Sequence, residues 1–257
     1  MSANGLTRIC FVDMRKAFDT VWRDALFYKL LEQGIGGNFY NIIVNMYEKS
    51  NVCVKLTVGM TDNFKTNIGV KQGCVISPTL FNIFLNDLPD ILKSNESCPV
   101  QLNGKFLSCL MYADDIAIIS QTKEGLQHCL NQLNGYCEIW KLNINTDKTK
   151  IIVFNKTGKI NNDETFIINN KEIEVVKEMK YLGIVFNNNG SFKSAIANLK
   201  GKAIKALFKL FKSFSNTTPD IKTAKHLFDA MIKPILLYNS EIWGSTVCDT
   251  NNYSREN

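Results

Sequence analysis

Residues 106–120 read FLSCLMYADDIAIIS, two apolar stretches that meet at Asp114 and Asp115. Adjacent carboxylates repel each other, and loss of water penalises both. The apolar runs on either side predict two strands joined tightly at the acidic pair. Residues 8–14, RICFVDM, have the same character: a short apolar strand with Asp13 at its tip. Taken alone, Ala-Asp-Asp also fits an exposed turn, because aspartate is a common turn residue. The apolar flanks and the matching Asp13 favour a cation that neutralises the acids, and hard carboxylate oxygens suit magnesium.

Working outward, residues 24–50 carry a helical pattern broken by GIGG at 34–37, which predicts two helices and a turn. Residues 52–70 alternate and contain turn residues, as a hairpin does. Ser77 reads as a helix N-cap and Pro78 as the first helical residue. Leu80, Phe81, Phe84, Leu85 and Leu88 then form an apolar stripe that Pro89 ends or kinks. A helix is predicted over Lys123–Trp140 and a strand over KTKIIVFN at 148–155. This order matches a ferredoxin-like β-α-β-β-α-β layout, in which the first strand neighbours the central hairpin and Asp13 comes beside Asp114 and Asp115. After residue 156 an Asn-rich stretch of short strands leads to a basic helical region. NNNG at 187–190 marks the junction between a first domain, 1–187, and a second, 188–257.

At 257 residues and 45% hydrophobic, the chain can build a substantial core. A net charge of +6 permits nucleic-acid binding without requiring it. The eight cysteines include no C-x-x-C pair and read as small buried hydrophobes in a reducing compartment. Two histidines leave little for a zinc site. The N-terminus is unlike a signal peptide, and no apolar run has the length to span a bilayer. The expectation is an intracellular protein without membrane partners.

Several stretches, in order, carry a family resemblance. FVDMRKAFDTV (11–21), QGCVISPTLFNIFLNDL (72–88) and YADDIAI (112–118) resemble motifs A, B and C of reverse transcriptases, specifically those of LINE-type non-LTR retrotransposons. LNINTDKTK (142–150) is similar to motif D and MKYLGIVF (179–186) to the primer grip. KPILLYNSEIWG (233–244) resembles a segment past the thumb, with Asn239 where the family usually has glycine. The resemblance implies an α+β right-hand polymerase fold. Its palm would be a ferredoxin-like antiparallel sheet with helices on one face, followed by a helical thumb. The fingers would be largely missing, because Asp13 falls so near the first residue.

The implied activity is RNA-directed DNA polymerisation, with a primer 3′-hydroxyl attacking the α-phosphate of a dNTP on an RNA template. Asp13 and Asp114 would be the principal ligands of two Mg2+ ions (or Mn2+), with Asp115 accessory. Phe18 would stand against the ribose 2′-position, although it also fits a core packing role. Gln72 and Gly73 would lie near the nucleotide and template, and Lys148 would be a proton donor to pyrophosphate or simply an exposed lysine. Tyr181, Leu182 and Gly183 would hold the primer end. Lys202, Lys205, Lys209 and Lys212 fall within an arc of roughly 80° on an ideal helix, facing away from Ile204, Leu207 and Phe211. In the thumb they would follow the phosphates of the template–primer duplex, while the same pattern suits a membrane-surface helix, a calmodulin target or a solvated face. The family works on chromosomal DNA, which implies the nucleus, and its enzymes are parts of longer polyproteins. The alternative is an inactive truncated retrotransposon remnant, at most a nucleic-acid-binding module.

Overall fold

The computed structural model describes residues 6–159, 163–214 and 219–248, with side chains of the last segment described to residue 244. The chain forms two compact units. One comprises Met1–Val153 with Ile160–Val176, the other Phe154–Lys159 with Lys177–Asn257.

The first unit is organised by a four-stranded sheet of β1 (Thr7–Val12), β2 (Cys109–Tyr112), β3 (Asp115–Ser120) and β4 (Lys150–Phe154), in the order β4-β1-β3-β2. This is the strand order expected of the ferredoxin-like layout. β1 runs antiparallel to β3 from the Arg8–Ser120 pair to the Val12–Ile116 pair. β2 and β3 form a hairpin closed by the Tyr112–Asp115 pair, so only Ala113 and Asp114 make the turn. β3 buries every residue from Ile116 to Ser120, which explains its unbroken apolar sequence.

Helices α1 (Arg23–Glu32), α2 (Gly37–Glu48), α3 (Ser77–Phe84) and α4 (Lys123–Ile139) build the rest of the core. Gly34, at φ +75°, ends the first of these and separates it from the second, as GIGG predicted. Thr122 caps α4, its Oγ1 accepting the Gly125 N–H at 3.0 Å. Leu126, Cys129, Leu130, Leu133 and Cys137 are buried along one face of α4, and Trp140 packs partly buried against the core. Leu80, Phe81, Phe84, Leu85 and Leu88 are all buried, each fully buried apolar side chain contributing about 2 kcal/mol of transfer free energy.

Two helix boundaries differ from expectation. Ser77 is the first residue of α3 and not its cap: its buried hydroxyl donates to the Lys71 carbonyl at 2.6 Å, a tertiary partner that outcompetes the local one. Pro89 does not end a long helix. α3 stops at Phe84, and Pro89 sits in the first turn of a separate short helix, Leu88–Ile91, where a missing N–H costs nothing. The hairpin expected over 52–70 consists of two short ladders, Asn51–Val52 with Phe64–Lys65 and Lys55–Leu56 with Gly59–Met60.

Three buried cations tie distant segments together. Arg8 forms an ion pair with Glu164, its Nε donating to Oε2 at 2.8 Å across 156 residues of sequence. Arg23 donates to the carbonyls of Thr66, Ile68 and Gly69 and lies over the Tyr47 ring. Lys29 donates to the Phe84 carbonyl and Asp87 Oδ1 at 2.6 Å each and meets the Tyr136 hydroxyl at 2.7 Å, with its Nζ 3.9 Å from the Trp140 ring centroid. Burial pushes the Lys29 ammonium below its ordinary pKa while Asp87 resists that shift. Burial drives the Tyr136 phenol upward, and Asp87 adds to the effect.

The described cysteines are free thiols. Burial raises Cys109 and Cys137 to about 12 and Cys129 to about 11, so these three behave as apolar side chains at neutral pH. In the second unit, strands β5 (Glu178–Tyr181) and β6 (Ile184–Asn187) form a hairpin beside helix α5 (Lys193–Ser213). Ile184, Ala195 and Leu199 make their common core, with Phe186, Phe192 and Trp243 packed against it. Helical turns over Ile221–Leu227, Phe228–Ile232 and Lys233–Leu236 lead to Ser240–Cys248. Among the described residues, no helix is long and apolar enough to cross a membrane.

Lys29→Ala leaves Asp87, Tyr136 and the Phe84 carbonyl without their cation. Its expected cost is about 3 kcal/mol, seen as a lower urea midpoint with an unchanged m-value.

Candidate active site

The antiparallel register fixes where the acids lie. The ladder ends at the Val12–Ile116 pair, and Asp13 and Asp115 are the next residues along the two strands at that end of the sheet. Ala113 takes φ +54°, an uncommon conformation for a residue with a Cβ, and so lets two residues close the turn that carries Asp114. A cleft of about 950 Å3 opens at this end. Five of the expected residues line it: Asp13, Phe18, Gln72, Asp114 and Lys148.

Three of them, Asp13, Phe18 and Gln72, are held by identifiable partners. Asp13 Oδ2 accepts from Asn145 Nδ2 at 2.9 Å, and the Asp13 carbonyl accepts the Asn145 N–H at 2.8 Å. The Asp13 N–H donates to Thr149 Oγ1 at 3.2 Å. The Phe18 ring stacks on Phe81 of α3 with centroids 4.8 Å apart, so one ring both packs against the core and lines the cleft. Gln72 Nε2 donates to Asp19 Oδ1 at 2.8 Å, joining the loop before α3 to the segment after β1. Gly69 reinforces that join: at φ +82°, its position would bring a Cβ within 2.7 Å of the Asp19 carbonyl oxygen. Gly73 has φ +79° and open space where a Cβ would stand, so its backbone conformation alone favours glycine.

The three carboxylates do not form a ready cage. Among the described residues, no group of three His, Cys, Asp or Glu side chains is gathered to hold a metal ion. Asp13 and Asp114 share the cleft lining, which does not include Asp115. Partial desolvation, then the charges of Asp114 and Asp13, raise the Asp115 carboxyl above the usual carboxylate range. An oxygen-only donor set of this charge nevertheless fits a hard divalent cation.

Sequence reasoning missed Asn145, Thr149 and Arg15. Arg15 lines the cleft and pairs with Asp147 at 3.5 Å. The signal for Asn145 and Thr149 lay within LNINTDKTK, where attention went to the lysine.

In the second unit, Tyr181 pairs with Ile184, and the intervening Leu182 and Gly183 have φ of +45° and +86°. Positive φ at both central positions defines the I′ class of hairpin turn. Lys202, Lys205, Lys209 and Lys212 are all exposed on α5. The buried stripe of α5 is Ala195, Leu199 and Ala203, whereas Ile204 and Phe211 are exposed. Asn239 has φ +52°, a left-handed conformation that asparagine tolerates better than most side chains.

Residues 2–186 match the family model for reverse transcriptase (RNA-dependent DNA polymerase), and the chain belongs to that family. It is a reverse transcriptase domain homologous to the RNA-directed DNA polymerases of non-LTR retrotransposons. It is 26% identical to the RNA-directed DNA polymerase from mobile element jockey of Drosophila funebris, over 91% of this chain and 26% of that protein. It is 27% identical to the probable RNA-directed DNA polymerase from transposon BS of Drosophila melanogaster, over 95% of this chain and 27% of that protein. The chain thus spans about a quarter of the length of these curated relatives. The fold resembles that of apo telomerase from Candida tropicalis, with a TM-score of 0.55 at 16% identity, covering 99% of this chain and 45% of that one.

Asp115→Asn should raise the thermal midpoint of the metal-free protein at neutral pH. A carboxyl whose pKa is raised by folding binds more protons folded than unfolded, so its ionised form opposes folding above that range. The advantage of the variant should fade as the pH falls below the ordinary aspartate range, which thermal unfolding from pH 7 to pH 3 measures.

Proposed function

We propose that this chain carries the palm and part of the thumb of an RNA-directed DNA polymerase, adding dNTPs to a primer 3′-hydroxyl on an RNA template. The observation that carries this reading is the sheet register, which sets Asp13 beside the YADD turn at the mouth of one cleft shared with Phe18, Gln72 and Lys148. Asp13 and Asp114 would hold divalent metal, with Asp115 accessory. Two Mg2+ ions, or Mn2+, would activate the attacking hydroxyl and stabilise charge on the leaving oxygen. Asn145 keeps one Asp13 oxygen occupied and so orients the other. Phe18 presents its ring where a ribose 2′-substituent would enter, favouring deoxynucleotides. Lys148, exposed at the cleft, supplies a proton toward departing pyrophosphate. Gln72 and Gly73 border nucleotide and template. In the second unit, the Tyr181-Leu182-Gly183 turn would meet the primer end, and the four exposed lysines of α5 would follow duplex phosphates.

A second reading, duplex binding without chemistry, is favoured by one observation: the acids are not gathered into a cage among the described residues. Primer extension on poly(rA)–oligo(dT) with dTTP and Mg2+ separates the two. Extension by the wild type and its loss, by at least about 100-fold, in Asp114→Ala supports polymerisation. A folded wild type that binds duplex without extending it supports the second reading.

Replacing Lys202, Lys205, Lys209 and Lys212 together by glutamine should weaken duplex binding irrespective of sequence. The slope of log K against log salt should become shallower by between about 3 and 4, as measured by fluorescence anisotropy.

A further inference from the structure

The segment KPILLYNSEIWG at 233–244 has no role in the chemistry above, yet it reaches a functional turn within its own unit. The Tyr238 hydroxyl donates to the Leu182 carbonyl at 3.0 Å. The Tyr238 ring also covers Gly183 so closely that a Cβ there would lie 2.9 Å from Cε1 and 3.1 Å from the hydroxyl oxygen. Tyr238 is held in turn: its carbonyl accepts from Trp243 Nε1 at 2.9 Å, and Trp243 packs against the core of Ile184, Ala195 and Leu199. Asn239, in the left-handed conformation, makes the bend between Tyr238 and the helix that carries Trp243.

We infer that Tyr238 is a positioning residue that clamps the Leu182–Gly183 turn, so that the 238–243 segment sets the geometry with which the turn meets a primer end. From outside the turn, Tyr238 supplies one hydrogen bond and one ring wall. Gly183 is then required twice, for its φ and for the space the ring occupies. The clamp itself stands on geometry alone; its link to the primer rests on the polymerase reading given above.

Tyr238→Phe keeps the ring and removes only the hydroxyl, and Tyr238→Leu removes both. Hydrogen exchange of a peptide covering residues 180–186 should quicken about fivefold in Tyr238→Phe, the effect of one neutral hydrogen bond, and further in Tyr238→Leu. Exchange across β1 and β3 should stay as in the wild type. In primer extension, KM for the primer–template should rise by a similar factor while kcat and KM for dTTP hold. A residue that only stabilised the unit would lower the active fraction, and with it kcat, at constant KM. Unchanged exchange at 180–186 in both variants overturns the clamp, and quickened exchange with unchanged primer KM in an active enzyme overturns its link to the primer. A wild type that never extends a primer, with exchange still quickened in the variants, removes the polymerase reading and leaves the clamp standing.

Discussion

The antiparallel register between β1 and β3 is the constraint on which the site depends. Side chains alternate along a strand, so slipping that pairing by one residue would exchange the two faces of β1 and carry Asp13 away from the YADD turn. Two features resist the slip. Cys10 and Val12 are buried in the core and cannot exchange faces with their neighbours without opening it. The hairpin of β2 and β3 has only two residues in its turn, and one of them is already in an uncommon backbone conformation, so the loop has no slack to absorb an offset. The acids are therefore placed by apolar packing, and their repulsion is a cost that this packing overcomes.

Around that sheet, the three buried cations act where apolar contact alone would be permissive. Arg8, Arg23 and Lys29 each satisfy carbonyls or carboxylates in segments far away in sequence. Apolar side chains of suitable volume could fill the same space, but they would not specify which carbonyl lies where. Arg23 matters most for the site, since its carbonyl partners sit on the loop that leads to Gln72. Lys29 ties α1 to the turn after α3 and to Tyr136 on α4, and so fixes the helices that cover the sheet.

Much of this was legible in the sequence because it is local. Apolar runs ending in aspartate gave the strands, GIGG gave the break between α1 and α2, and the order of elements gave the strand order. What escaped was tertiary. Ser77 reads as a cap until the Lys71 carbonyl takes its hydroxyl, and Pro89 reads as a terminator until a second short helix begins beneath it. Asn145 escaped because its value lies in a hydrogen bond to a residue 132 positions away, for which no local pattern exists.

The position of β1 inside its sheet also bears on how the chain acquires its shape. The first strand is flanked by β3 and β4, so neither edge has a partner until residues near 120 and 154 are available. Its Arg8 must wait longer still, for Glu164. Within this stretch, β1 therefore has two open edges until those residues join it, while α1 and α2 can already take local form. Loop closure over such separations is slow compared with helix formation. The pairing that brings the carboxylates together therefore carries a large closure cost, which the packing of the finished sheet must offset.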